Sequence, residues 1–202
     1  MRARPATLAF WGGLVVALVI VAVVITGDRN REPLDPRSVA PDGARALVEV
    51  AERAGADVAI GIEIPGADID VAIVLADTYG VAGRADVTAW VRRGGRLVVA
   101  DPQSPLTPPP ARTGATSVGA GACADPALAG IGRIVGLDGA YADSDPADVR
   151  CFGGGVVVEE LGDGVIVSIG GPGPLLNESL AEADNAVLAV ALLAPTRGTR
   201  VA

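Results

Sequence analysis

Two aspartates and a threonine in this 202-residue chain stand where an open α/β sheet places its chemistry. Asp77 and Thr78 follow an apolar run at 69–76, and Asp101 follows a second at 96–100. Ligands of such sheets bind outside the carboxyl ends of the strands. A carboxylate pair there could work as general acid and base, or hold a hard divalent cation. Asp also closes turns and caps helices, because its oxygens accept from nearby backbone N–H groups. Asp77 and Asp101 are therefore either a shared polar site or two structural turns, and Asp101-Pro102 reads as turn initiation. A second group is Asn177, Asp184 and Asn185. The last two fall inside a helix expected over 179–193, where both are poor helix formers. They fasten loop backbone, including the glycine-rich 170–174, or they line a site. Glu159 and Glu160 are strand neighbours, point to opposite faces and make no pair.

Much chemistry is missing. The chain has no histidine, which removes Ser-His-Asp and Cys-His triads and histidine-bound zinc. It also has no lysine, so a Ser-Lys dyad is out. No Walker A sequence occurs, and the glycine clusters at 153–155 and 170–173 do not fit the dinucleotide pattern. No cofactor and no metal are expected. Aromatics make up only 3% of residues, too few for a platform that stacks bases or sugars. The chain reads as a non-enzyme; a carboxylate-dependent or metal-assisted hydrolase using Asp77 and Asp101 is the alternative.

Residues 8–25 form an uncharged apolar run. As a helix the run would be about 27 Å long, close to the roughly 30 Å hydrocarbon core of a bilayer. It is too long for most signal-peptide cores and lacks a small-x-small site before the charges. The expectation is a single-pass anchor over 1–27, N-terminus cytoplasmic, with the rest of the chain extracytoplasmic. Only Arg2 and Arg4 of the 16 arginines precede the run, leaving 14 against all 24 acids. That excess of acid argues against nucleic acid as a partner. In an exported domain Cys123 and Cys151 most simply form one disulfide.

The elements that must position these residues follow from periodicity and breakers. Residues 28–40 read as a linker, 41–195 as one α/β domain and 196–202 as a tail. A helix starts near Pro41, with Ala44, Leu47, Val48, Ala51 and Ala54 on one face, and Gly55 closes it. Strands are expected at 57–62, 69–76 and 96–100, and a helix at 86–93 before Gly94-Gly95. Continuous apolar runs mark strands buried on both faces, hence a parallel-dominated sheet flanked by helices. The proline-rich 102–110, continuing to 121, is expected to be loop, with a short helix at 126–129 and a strand at 133–135. Strands at 156–161 and 165–169 are joined by Gly162-Asp163-Gly164, a hairpin signal. The last helix carries Ser179 and Glu182 in a capping-box pattern, and Pro195 stops it.

These features occur in a familiar order: an N-terminal apolar run, Leu34-Asp35-Pro36, Pro41-Asp42-Gly43 opening a helix, and a strand ending at Ala76-Asp77. The segment 90–99 with Gly94-Gly95, Asn177 and a closing helix around Asp184-Asn185-Ala186 complete it. The chain resembles the bacterial membrane-protein family known as domain of unknown function 4350, common in actinobacteria. The resemblance covers nearly all of residues 1–194. It implies a flavodoxin-like, class I glutamine-amidotransferase-like fold. Those enzymes need a cysteine nucleophile after a central strand and a histidine; here the turn holds Asp77-Thr78-Tyr79, so the resemblance implies a non-catalytic version. It also implies membrane partners, such as components encoded beside MoxR-type ATPases. The expected role is a binding or assembly component of a membrane complex.

Overall fold

A computed structural model describes residues 32–61, 64–121, 123–142, 145 and 147–202. Helix α1 (Arg45–Ala54) buries Leu47 and Ala51 on one stripe and ends at Gly55 in the left-handed conformation. Strand β1 (Asp57–Val58) follows, then β2 (Val71–Val74), helix α2 (Val81–Arg92) and β3 (Arg96–Val99). Next come β4 (Pro110–Ala120), β5 (Arg133–Tyr141), β6 (Val149–Cys151), β7 (Val156–Leu161) and β8 (Gly164–Ile169). Helix α3 (Asn185–Leu193) and strand β9 (Arg200–Val201) complete the order.

Seven strands form one sheet in the order β1-β9-β2-β3-β8-β7-β6. Pairing is parallel from β1 to β8 and antiparallel from β8 through β7 to β6. Alternate residues of each strand divide the core into two layers. Val71, Val98, Val167 and Ile169 pack with α1 and α3 on one face. Ala72, Val74, Leu97, Val99 and Ile166 pack with Val87, Trp90 and Val91 of α2 on the other. Gly95 follows α2 because a Cβ there would sit 2.5 Å from the Trp90 ring. The second sheet is the antiparallel ribbon β4–β5. It crosses the carboxyl end of β8, where Asp138 and Gly139 N–H groups donate to the Gly170 carbonyl at 2.8 and 2.9 Å. A Cβ on Gly173 would lie 2.0 Å from the Gly136 carbonyl, so this crossing needs glycine.

Several expectations are corrected. No helix among the described residues is long and apolar enough to cross a membrane. The longest, α2, has 12 residues and spans about 18 Å, short of a hydrocarbon core of roughly 30 Å. The run at 8–25 lies outside the described residues. The single-pass architecture and extracytoplasmic placement are therefore withdrawn. The flavodoxin-like order 2-1-3-4-5 is not the one found, because β9 lies between β1 and β2. The expected tail thus holds a strand inside the sheet. The expected loop over 110–120 is strand β4: Pro110 occupies its first position, where the missing N–H costs least. Residues 126–130 are turns rather than a helix. Helix α3 begins at Asn185, not Ser179, because Ala183 is left-handed (φ 46°). The Ser179 hydroxyl donates to the Gly173 carbonyl instead of capping α3.

Candidate functional site

Strands β2 and β3 are adjacent and parallel, so the turns after them meet. The backbone N–H of Asp77 donates to Asp101 Oδ2 at 2.9 Å, and Asp101 Oδ1 accepts from the Gln103 N–H at 2.9 Å. Asp77 Oδ1 accepts from the Tyr79 N–H at 2.9 Å. Its Oδ2 accepts from Arg84 Nε at 2.9 Å and from the Ser104 hydroxyl at 2.5 Å. The Asp77 side chain is only 1% exposed. Burial raises its pKa, but the Ser104, Arg84 and Tyr79 hydrogen bonds and the Arg84 charge outweigh that, leaving it below the ordinary value. Asp77 therefore stays ionised near neutrality and is a poor proton donor. Burial and the Asp77 charge push the Tyr79 phenol up. The cluster ties the turn after β2 to the loop after β3 and to α2. Arg84 and Ser104 escaped the sequence reading; the signal was an arginine seven residues after Asp77 and a serine in a proline-rich loop.

Asn177, Asp184 and Asn185 do not join that cluster. Asn177 Oδ1 accepts from the Ala46 N–H at 2.8 Å, in the first turn of α1. Its Nδ2 donates to the Ser38 and Ala40 carbonyls at 2.8 and 2.6 Å. The side chain thus satisfies a helix donor that no local residue caps. Asp184 Oδ2 accepts from Gly132 and Arg133 N–H groups, both at 2.9 Å. Asn185, fully buried, accepts from the Val135 N–H at 3.0 Å and donates to the Val135 and Ser179 carbonyls at 3.1 and 2.8 Å. All three side chains spend their hydrogen bonds on distant backbone.

A cleft of about 520 Å³ opens at the carboxyl ends of β1, β9 and β2. Leu34, Leu47, Val58, Ile60, Ile73 and Leu75 give it apolar walls. Glu32, Asp35 and Arg37 supply charge, and Thr78 and Tyr79 contribute hydroxyls. Thr78 is thus the one sequence-nominated residue on its lining; Asp77 and Asp101 are not part of it. Ile60 and Ile64 are exposed nearby, and Ile64 approaches the same stretch of α2 as Tyr79, at Gly83. Among the described residues no group of three His, Cys, Asp or Glu is placed to hold a metal. Cys123 and Cys151 form a disulfide that joins the segment after β4 to the end of β6.

These features define a mixed α/β domain in which Asp77, Asp101, Asn177, Asp184 and Asn185 fasten backbone and Thr78 lines an apolar cleft. Residues 36–193 match the family described as "Domain of unknown function (DUF4350)", and the chain belongs to that family. No curated protein matches the chain. Among solved structures, exo-β-1,4-mannosidase Op5Man5 from Opitutaceae bacterium strain TAV5 is similar over 61% of this chain and 25% of that one. The identity is 13% and the TM-score 0.40, a likeness that carries no weight for fold or function.

Proposed function

We propose that this DUF4350 domain is a non-catalytic binding module that serves as a component of a protein assembly, and that it engages its partner at the cleft. The observation that carries this reading is a division of labour. Apolar side chains and unfilled volume gather at the carboxyl ends of β1, β9 and β2. The Asp77 carboxylate, the strongest catalytic candidate, is buried and fully engaged by Ser104, Arg84 and Tyr79. A concave apolar site with a few polar groups is the usual form of a recognition surface. Absence of histidine and lysine fits the same reading, because it removes the commonest general bases.

Site-specific photo-crosslinking of the full chain in its native host tests it. Crosslinkers at Leu34 and Ile60 are compared with one at Asp163, in the β7–β8 turn. One recurrent polypeptide adduct from both cleft positions and none from Asp163, reproduced with that polypeptide purified, is the expected result. Equal adducts from all three positions, or none from any, would overturn the reading.

A further inference from the structure

Strand β6 is the edge of the seven-stranded sheet, and it pairs with β7 over three residues. β7 has six residues and pairs with β8 along its whole length, Val156 to Leu161. A short strand laid along a longer apolar one covers a backbone that would otherwise template pairing with other chains. In an antiparallel ladder, successive residues of a strand exchange hydrogen bonds with alternate neighbours. The Gly170 N–H donates to the Gly155 carbonyl at 2.9 Å. Odd-numbered residues of β7 therefore bond to β8, and even-numbered ones face β6. The register then sets Val156 opposite Cys151, and Val158 opposite Val149, as the hydrogen-bonded pairs of the cover.

Both ends of β6 work against this pairing. Asp148 precedes Val149, and the register continued by one residue sets it opposite Glu159. Like charges directly opposite across two strands weaken the pair. Burial first, and then the charges of Asp148 and Asp145, push the Glu159 carboxyl above its ordinary value. At the other end Phe152, Gly153 and Gly154 follow one another with φ of 53°, 69° and 87°. That region disfavours a side chain as large as phenylalanine, so the corner persists because its surroundings hold it. Phe152 is buried against Gly119 of β4. From the middle of β6, Arg150 donates to the Ala142 and Tyr141 carbonyls at 2.7 and 2.5 Å. Cys151 is bonded to Cys123, in the turn between β4 and β5. Leu128 and Ile131 of that turn are buried in the core layer under α1 and α3. The disulfide thus ties a three-residue edge strand to a well-packed body.

We propose that Cys123–Cys151 is a redox-sensitive clasp: its reduction releases β6 from β7 and uncovers the β7 edge, while the rest of the sheet stays paired. The reductant is a dithiol. Cys151 is fully buried and Cys123 is 6% exposed, so the attacking thiolate meets the Cys123 sulfur. The S–S bond breaks, and Cys151 leaves as a thiolate and takes a proton. The second thiol of the reductant then resolves the mixed disulfide at Cys123. Two electrons pass to the protein, the dithiol closes into its own disulfide, and both cysteines end as thiols. Neither step involves the apolar cleft.

Amide hydrogen exchange of the full chain, oxidised and in dithiothreitol, tests the clasp. The Val156 and Val158 amides face β6, whereas those of Val157 and Glu159 face β8, so the second pair is an internal reference. Reduction should raise the exchange of Val156 and Val158 relative to Val157 and Glu159 by about tenfold or more, the mark of a local opening. The double variant Cys123→Ala/Cys151→Ala should show the reduced pattern without reductant. An unchanged ratio on reduction would overturn the proposal, because β6 then stays in place or every strand loosens together. A double variant that keeps the oxidised ratio would overturn it as well. Arg150→Ala with the disulfide intact should move the ratio less than reduction does. An equal or larger rise would make the arginine the clasp and the disulfide incidental.

Discussion

The sheet has two unlike halves. From β3 through β8 to β7 the strands pair over four and six residues, and Leu97, Val98, Val99, Val167 and Ile169 are fully buried. From β1 through β9 to β2 the ladders are one or two residues long, and Ile60 is exposed at their end. The closed half spends its backbone groups on its own ladders. The open half borders the apolar cleft. On the function proposed above, the closed half carries the stability of the domain and the open half meets the partner.

The largest expected effect on that comparison comes from the disulfide. Cys123–Cys151 links the ribbon to β6 at a sequence separation of 28. Closing such a loop stabilises by about 3.6 kcal/mol in the chain-entropy model. Reduction with dithiothreitol should lower the urea midpoint accordingly, and crosslinking from Leu34 and Ile60 of the remaining folded protein should be unchanged. A shift of both together would mean that the halves are coupled. Next is Asn185→Ala. It removes three hydrogen bonds from a fully buried site and strands Val135 N–H and C=O, a loss of about 3 kcal/mol. Urea denaturation checks it. A loss under about 1 kcal/mol would mean that water replaces the amide.

Besides β1 and β2, the closed half could be read from sequence. Its strands are apolar on both faces, and Gly162-Asp163-Gly164 marks the turn between β7 and β8. Both signals are local. The open half is not local: its cleft draws on 32–37, α1, 58–61, β2 and β9. A two-residue strand such as β9 has no periodicity to detect. Asp77 and Asp101 could be paired because each follows an apolar strand, but Arg84 and Ser104 meet them only through the path of α2 and the proline-rich loop. The start of α3 was missed for a similar reason. Asp184 and Asn185 bond to β5 backbone more than 45 residues away in sequence, and that tertiary pull overrides the capping box at Ser179. Strand β4 was hidden by its leading proline and its two glycines, which weigh against a strand wherever the partner strand is unknown.

Asp77→Ala comes third. It takes the acceptor away from the Ser104 hydroxyl, Arg84 and the Tyr79 N–H, a loss of about 2 kcal/mol, since the partly exposed Arg84 can rehydrate. The effect depends on pH with a definite sign. The folded pKa of Asp77 lies below its ordinary value, so its contribution is fully present above the unfolded value of about 3.9. It is lost as pH falls through the folded pKa. Urea midpoints of wild type and variant should therefore differ clearly at pH 7 and converge on acidification below that range. A gap that stays constant down to the lowest pH at which both fold would mean that the ionised carboxylate is not what fastens the turn.

The smallest effect tests an unsatisfied polar group inside the closed half. Ser168 lies on β8 opposite Val99 and Val157, is 1% exposed, and its hydroxyl is the only buried side-chain polar atom among the described residues without a partner. An unsatisfied buried hydroxyl costs about 1 kcal/mol or more. Ser168→Ala removes the hydroxyl, leaves the backbone ladder intact and opens little space, so it should raise the urea midpoint by about 1 kcal/mol of stability. Ser168→Val is the control: its extra methyl groups press on Val99 and Val157, and it should gain less or lose. If Ser168→Ala destabilises instead, the hydroxyl holds a bound water or another polar group. The closed half would then contain a polar site of its own, and its contrast with the open half would no longer be clean.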